Sequence, residues 1–206
     1  MTYEYKSHIY LAEAVLNVKN LASQTAFYQQ IIGLEILSQT ETEAVLGLGG
    51  KALVQLIQAQ ESGEAREHYG LYHLAILLPT RKALADILKH LTDLQIPLVG
   101  GADHGYSEAL YLEDLEGNGI ELYRDKPVST WDIREDGRII GVTEAPRKQD
   151  LPGLAYYVIE VAHKEELLTI AQRAQEVDAP IKWLTSSQLE ITDPDGIVTR
   201  IRLDRI

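Results

Sequence analysis

The chain of 206 residues contains no cysteine. A disulfide framework and a thiolate metal site are both excluded, so any metal must be held by histidine, carboxylate, amide or tyrosine oxygen. Basic clusters are missing too. With 19 Lys and Arg against 31 Asp and Glu, the formal net charge is −12, which repels a phosphate backbone, and nucleic acid is not an expected partner. No apolar stretch approaches the ~18 residues of a membrane span. The opening Met1-Thr2-Tyr3-Glu4-Tyr5-Lys6 has neither the basic start nor the apolar run of a signal peptide. The expectation is a cytoplasmic protein with no membrane partner. A hydrophobic content of 45% with 24% charged residues is ordinary for a globular chain that folds without staples, with length enough for one sizeable core or two small ones.

What the chain does have is a repeat of about 50 residues. Leu71-Tyr72-His73-Leu74-Ala75-Ile76-Leu77-Leu78 aligns with Leu154-Ala155-Tyr156-Tyr157-Val158-Ile159-Glu160-Val161, and Asp114-Leu115-Glu116-Gly117-Asn118-Gly119-Ile120-Glu121 with Asp193-Pro194-Asp195-Gly196-Ile197-Val198-Thr199-Arg200. A first copy runs from His8 to Ala59, a second from Tyr69 to Asp125 and a third from Leu154 to Asp204. Each opens with an apolar strand, continues into an amphipathic helix and closes with two or three short strands. Leu84, Ile87, Leu88 and Leu91 fall at i, i+3, i+4, i+7, and Leu167, Ile170, Ala171 and Ala174 repeat that spacing. Thr80 is the expected N-cap of the second helix and Gly33 the stop of the first. Tight turns are expected at Asp114 to Gly117 and at Asp193 to Gly196. Lys126 to Pro152, with Pro127, Pro146 and Pro152 and a hairpin around Glu135-Asp136-Gly137, reads as a linker and domain boundary.

The fold class is therefore α+β: paired βαβββ modules forming an open β-cup over 1–125, a hairpin-containing linker over 126–152, and a third βαβββ module over 153–206. A lone module leaves one sheet face uncovered, so modules pair, and three is an odd number. Modules one and two are expected to pair within the chain. The third lies against that pair or meets its twin in a homodimer.

The copies also act as an internal control on chemistry. His73 and Glu121 of the second copy correspond to Tyr156 and Arg200 of the third, so the fold does not require the polar pair. Strand alternation puts His73 on one face with Ala75 and Leu77, and turns Glu121 away from its apolar neighbours. If both point into the cup, an imidazole and a carboxylate converge from adjacent strands, which suits a metal. Pseudo-symmetry sets Glu13 of the first copy opposite His73. For Glu121, a strict residue count selects Val54, whereas a one-residue slip selects Gln55, the preferred reading. Glu13 reads equally as a salt-bridging strand residue. His104 reads either as an acid or base at the cup mouth or as a solvated turn residue.

The runs Gly70 to Pro79, Asp103-His104, Ser107 to Leu112 and Gly117 to Tyr123, with the opening Leu16 to Leu21, Phe27-Tyr28 and Gly33-Leu34, carry a resemblance. The chain is similar to members of the vicinal-oxygen-chelate superfamily, which includes glyoxalases, fosfomycin-resistance proteins and extradiol dioxygenases, and within it to proteins named as catechol 2,3-dioxygenases. The resemblance implies a divalent metal that chelates two neighbouring oxygens of a small-molecule substrate, with His73 and Glu121 as second-module ligands. It also implies four modules, of which this chain lacks the third. A dioxygenase would have His where Glu13 stands. The set Glu13, Gln55, His73 and Glu121 resembles the four-ligand arrangement of glyoxalase I and is compatible with Fe, Mn, Ni or Zn. The expected activity is extradiol-dioxygenase-like, with glyoxalase-like isomerase or lyase chemistry as the alternative and a metal-free binding protein as a third reading.

Overall fold

The structure, a computed structural model, describes residues 9–59, 73–135, 137–141, 154–193 and 197–204. Module one comprises β1 (Ile9–Val18), α1 (Leu21–Gln30), β2 (Glu35–Gln39), β3 (Glu43–Leu48) and β4 (Lys51–Gln58). Module two comprises β5 (Leu74–Leu77), α2 (Arg81–Asp93), β6 (Gly100–Asp103), β7 (Ser107–Glu113) and β8 (Gly119–Asp125). A 3-10 turn (Val128–Thr130) and the short strands β9 (Asp132–Ile133) and β10 (Ile139–Ile140) follow. Module three comprises β11 (Leu154–Val161), α3 (Lys164–Glu176), β12 (Ile181–Thr185), β13 (Gln188–Thr192) and β14 (Val198–Leu203). The α+β class and the threefold βαβββ repeat are as expected.

Local chemistry explains the element ends. Thr80 Oγ1 accepts the Ala83 N–H at 3.1 Å and caps α2, and Asn20 Oδ1 does the same for Ser23 at the start of α1. After α1, Gly33 takes a φ of +87° and lets the Leu34 N–H reach back to the Tyr28 carbonyl at 3.0 Å. In α3 the apolar stripe is buried at Leu167, Ala171 and Ala174, with Ile170 packed against the same cluster. In α2 only Leu84 and Leu91 are buried, while Leu88 is 38% exposed. The turn after β7 is held by Asp114, whose Oδ1 accepts the Glu116 and Asn118 N–H groups at 2.9 Å. The matching Asp193 accepts from Ile197 at 2.8 Å, while Pro194 to Gly196 lie outside the described residues, as do Pro146 and Pro152.

Module pairing departs from the sequence expectation. Modules one and three, not one and two, share a sheet, in the order β12-β13-β14-β11-β1-β4-β3-β2. Its centre is the antiparallel pair β1 and β11, with Val15 opposite Tyr156, Ala14 opposite Tyr157 and Glu13 opposite Val158. Strand length accounts for the choice. β11 offers eight residues to the ten of β1, whereas β5 has four, so the longer edge satisfies more backbone donors and acceptors. Ala12, Val15 and Val158 form a buried cluster at the seam.

Module two forms the separate four-stranded sheet β5-β8-β7-β6, and the boundaries expected after 125 and 152 are not where the compact units divide. Residues 126–141 belong with module two. The hairpin expected near Glu135 is there as β9 and β10, closed by the Arg134 N–H to the Arg138 carbonyl at 2.9 Å, with Asp136 outside the described residues. Trp131 Nε1 donates to the Lys126 carbonyl at 2.9 Å, and its ring meets Tyr106 edge-on at 6.2 Å. Gly141 packs so closely here that a Cβ would overlap the Tyr106 ring and lie 2.6 Å from the His104 carbonyl.

At the same end of the module two sheet, Arg124 binds Glu108 through Nε at 2.8 Å and Nη2 at 2.5 Å, and Arg81 adds a contact at 3.0 Å. The Arg124 hydrogen bonds hold the Glu108 carboxyl below its ordinary value, against the opposing effect of burial, with Arg81 assisting. A carboxyl depressed on folding stabilises fully above its unfolded value of about 4.3, and that stabilisation is lost as pH falls through the folded value. Glu108→Gln should therefore lower the melting temperature at neutral pH and flatten its decline below about pH 4 relative to the parent chain. Melting curves across pH check this; parallel declines would mean the pair contributes nothing.

Candidate metal and proton-transfer site in module two

Cα register fixes which side chains share a face of the four-stranded sheet. Ala75 pairs with Glu121, Leu77 with Tyr123, and Tyr111 with Glu121. Alternation adds His73 to the face that carries Ala75 and Leu77. The other face is the apolar one, where Leu74, Leu112, Ile120 and Leu122 are buried beneath α2. His73, Tyr111 and Glu121 thus stand together on the open face, away from the helix.

These groups interact closely. The Tyr111 hydroxyl donates to Glu121 Oε1 at 3.0 Å and meets His104 Nε2 at 2.6 Å, so it bridges carboxylate and imidazole. Because the single hydroxyl proton goes to Glu121, His104 carries its proton on Nε2 and donates to Tyr111. The His73 ring lies 4.8 Å from the Tyr111 ring at a tilt of 37°. His104 is 8% exposed, which removes the solvated-turn reading. It follows β6, its N–H reaches the Ser107 carbonyl at 2.9 Å, and Gly105 with a φ of +86° completes the turn. Tyr106 stacks on it at 6.1 Å.

Tyr111 is the member that the sequence reading did not single out. Its signal was available: it sits two positions from Ala109 on an alternating strand, opposite Glu121 in an antiparallel pair.

Glu13 and Gln55 lie in the other sheet. Register supports Gln55 over Val54 as the equivalent of Glu121, since Val15 pairs with Gln55 as Ala75 pairs with Glu121 and Val158 with Arg200. Their surroundings differ from those of His73. Glu13, 7% exposed, receives Arg202 Nη1 at 2.9 Å, and the same guanidinium donates through Nε to Glu160 at 2.8 Å. Gln55 Nε2 donates to Glu43 at 3.0 Å. Arg200 donates to Glu190 at 2.6 Å and to the Tyr156 hydroxyl at 2.9 Å, with its guanidinium 3.9 Å from the Tyr156 ring centre. Nearby, burial first and then the carboxylates of Glu160 and Asp204 push the Tyr10 hydroxyl far above its ordinary value. The cup of modules one and three thus carries guanidinium cations paired with Glu13, Glu160 and Glu190. The four expected ligands are divided between two sheets, and among the described residues no group of three or more His, Asp or Glu is placed to hold a metal.

Removing one charge from such a network strands its partners. Arg202→Met should cost about 3 kcal/mol or more, because Glu13 and Glu160 would be left buried without their cation. Urea unfolding of the variant checks this; a change below about 1 kcal/mol would mean that the carboxylates find other partners.

Residues 10–122 match the family model of the Glyoxalase/Bleomycin resistance protein/Dioxygenase superfamily. The chain belongs to that superfamily. It is 38% identical over 148 residues to a catechol-2,3-dioxygenase of Bacillus subtilis (strain 168), a match covering 70% of this chain and 50% of that relative, so the chain spans about half of its length. It is 28% identical over 109 residues to the metallothiol transferase FosB of Staphylococcus haemolyticus, covering 52% of this chain and 77% of FosB. A crystal structure from Bacillus subtilis subsp. subtilis str. 168 superposes with a TM-score of 0.72 at 13% identity, over 95% of this chain and 85% of that one, a likeness of fold.

Proposed function

We propose that the chain is a metal-dependent enzyme that acts on a small oxygenated metabolite at the open face of module two, with extradiol-dioxygenase-like chemistry as the leading reading. The observation that carries it is the cluster His73, Tyr111, Glu121 and His104, whose counterparts in module three, Tyr156, Glu190 and Arg200, form a closed ionic network instead. The donor set fits a divalent ion: an imidazole and a carboxylate share one face, and the carboxylate is oriented by the Tyr111 hydroxyl at Oε1. His73 and Glu121 would hold the metal, which when bound supplies a Lewis acid for two neighbouring substrate oxygens.

The chain's own residues prepare the proton chemistry. Tyr111 orients the Glu121 carboxylate, and His104 behind it can refill the tyrosine proton, so a proton can pass from His104 Nε2 through Tyr111 Oη toward the substrate side. The Tyr106 ring stacks on the buried His104, and Trp131 packs edge-on against Tyr106 in turn. A relay of this kind moves protons without redox change as readily as with it, which is what keeps glyoxalase-like isomerase or lyase chemistry as the second reading.

Elemental analysis of protein purified anaerobically without chelators tests the proposal. Bound metal should be lost in His73→Ala and Glu121→Ala, and oxygen uptake with a catechol should follow iron loading. Tyr111→Phe should retain metal but slow turnover by roughly 10²-fold or more, the usual size of a lost acid–base contribution. Absence of metal after reconstitution would sink the enzyme reading, whereas metal without catechol-dependent oxygen uptake would favour the isomerase or lyase alternative.

A further inference from the structure

A turn that joins two strands ordinarily runs over the surface, and an imidazole at its tip is ordinarily solvated. His104 stands in such a turn, between β6 and β7, and is nevertheless buried. Part of the reason lies within the turn. The His104 N–H reaches the Ser107 carbonyl, and Asp103 Oδ1 accepts the Gly105 N–H at 2.9 Å. Both bonds are internal, so they close the turn without fixing how it leans over the sheet.

The residues after β8 supply the contacts from outside. Lys126 donates through its backbone N–H to the Tyr106 carbonyl at 2.7 Å and through Nζ to Asp103 at 2.5 Å, which ties it to both arms of the turn. Trp131 is anchored to the carbonyl of the same lysine and sets its ring edge-on against Tyr106, whose ring lies over His104 at an angle of 23°. Gly141 closes on the turn from the far end of the β9–β10 hairpin. A Cβ there would lie 2.1 Å from Tyr106 Cε1 and 2.6 Å from the His104 carbonyl oxygen. The hairpin has two residues in each strand, too few to stand alone in water, so its place is set by this packing.

We propose that Trp131 and Gly141 are positioning residues for the proton relay: acting through the Tyr106 ring and the His104 carbonyl, they hold His104 Nε2 at the Tyr111 hydroxyl. This rests on the relay reading above. His104 Nε2 and Tyr111 Oη are 2.6 Å apart, a separation across which a proton passes directly. A displacement of about 1 Å removes that contact and slows a reaction that depends on it by roughly 10²-fold. Loss of the Trp131 ring takes away the outer neighbour of Tyr106, and a side chain at position 141 pushes the ring or the carbonyl from the other end of the hairpin. The two changes are opposite in kind and break the same bond.

Proton exchange at His104, followed by NMR in the full chain free of paramagnetic metal, reads the positioning without any turnover. An imidazole N–H donated to a part-buried hydroxyl is protected from exchange, and His104→Gln identifies its signal among those of the six histidines. Trp131→Ala and Gly141→Ala should each speed that exchange by roughly 10-fold or more while the backbone amide spectrum stays that of a folded chain. Trp131→Phe keeps a ring against Tyr106 and should stay within about 3-fold of the parent. Should Gly141→Ala fail to fold, the two Trp131 variants carry the comparison. Unchanged exchange in folded Trp131→Ala would overturn the proposal, and a parent chain with no protected His104 proton would sink the relay and the positioning together. In the iron-loaded chain with a catechol, Trp131→Ala should lower kcat and leave KM and bound metal unchanged. Combined with Tyr111→Phe it should be no slower than Tyr111→Phe alone, and a multiplied loss would overturn action through the relay. A parent chain that protects the His104 proton yet consumes no oxygen with a catechol would remove the dioxygenase reading and leave the positioning in place.

Discussion

A βαβββ module with one helix covers one face of its sheet and leaves its first strand as an open edge. Everything else in this chain depends on how that edge is satisfied. β1 and β11 satisfy each other, and their ladder fuses eight strands around a seam of Ala12, Val15 and Val158. Edge pairing costs little in shape and gains backbone hydrogen bonds along the whole strand, so length decides among competing edges. The four residues of β5 were the poorer competitor.

The two sheets use the same positions for opposite electrostatic ends. In the cup of modules one and three, Arg202 and Arg200 bring positive charge permanently, tethered to Glu13, Glu160, Glu190 and Tyr156. In module two the corresponding strands carry an imidazole and a carboxylate steadied by a tyrosine, and the cation proposed to bind there would come from solution. A guanidinium is fixed in place and inert, whereas a metal has open coordination positions. The difference between the two polar faces is here a matter of three residues on a common scaffold.

Much of this was legible before any coordinates. The repeat, the helix stripe at Leu167, Ala171 and Ala174, the cap at Thr80 and the turn at Asp114 all follow from local periodicity and capping chemistry, which act over a few residues. His73 and Glu121 stood out because the third copy lacks them. The module partnership was not legible, since it turns on the relative lengths of β5 and β11, and strand ends are set by tertiary contacts rather than by composition. Arg202 was missed as the partner of Glu13 for a related reason: the two are 189 positions apart in the chain and meet only through the β1–β11 seam. Tyr111 was visible as a residue but not as a bridge, because its role depends on His104 folding back beneath it.

The close fit of Gly141 against Tyr106 and the His104 carbonyl gives the segment after β8 a second identity. By sequence it is a connector, and connectors ordinarily tolerate insertion, deletion and drift. This one is also packed against the turn that carries His104, held through Trp131, Lys126 and a glycine that admits no side chain. A chimera that grafts a different connector after β8 would therefore keep His73, Tyr111 and Glu121 while losing the packing that holds His104 in place.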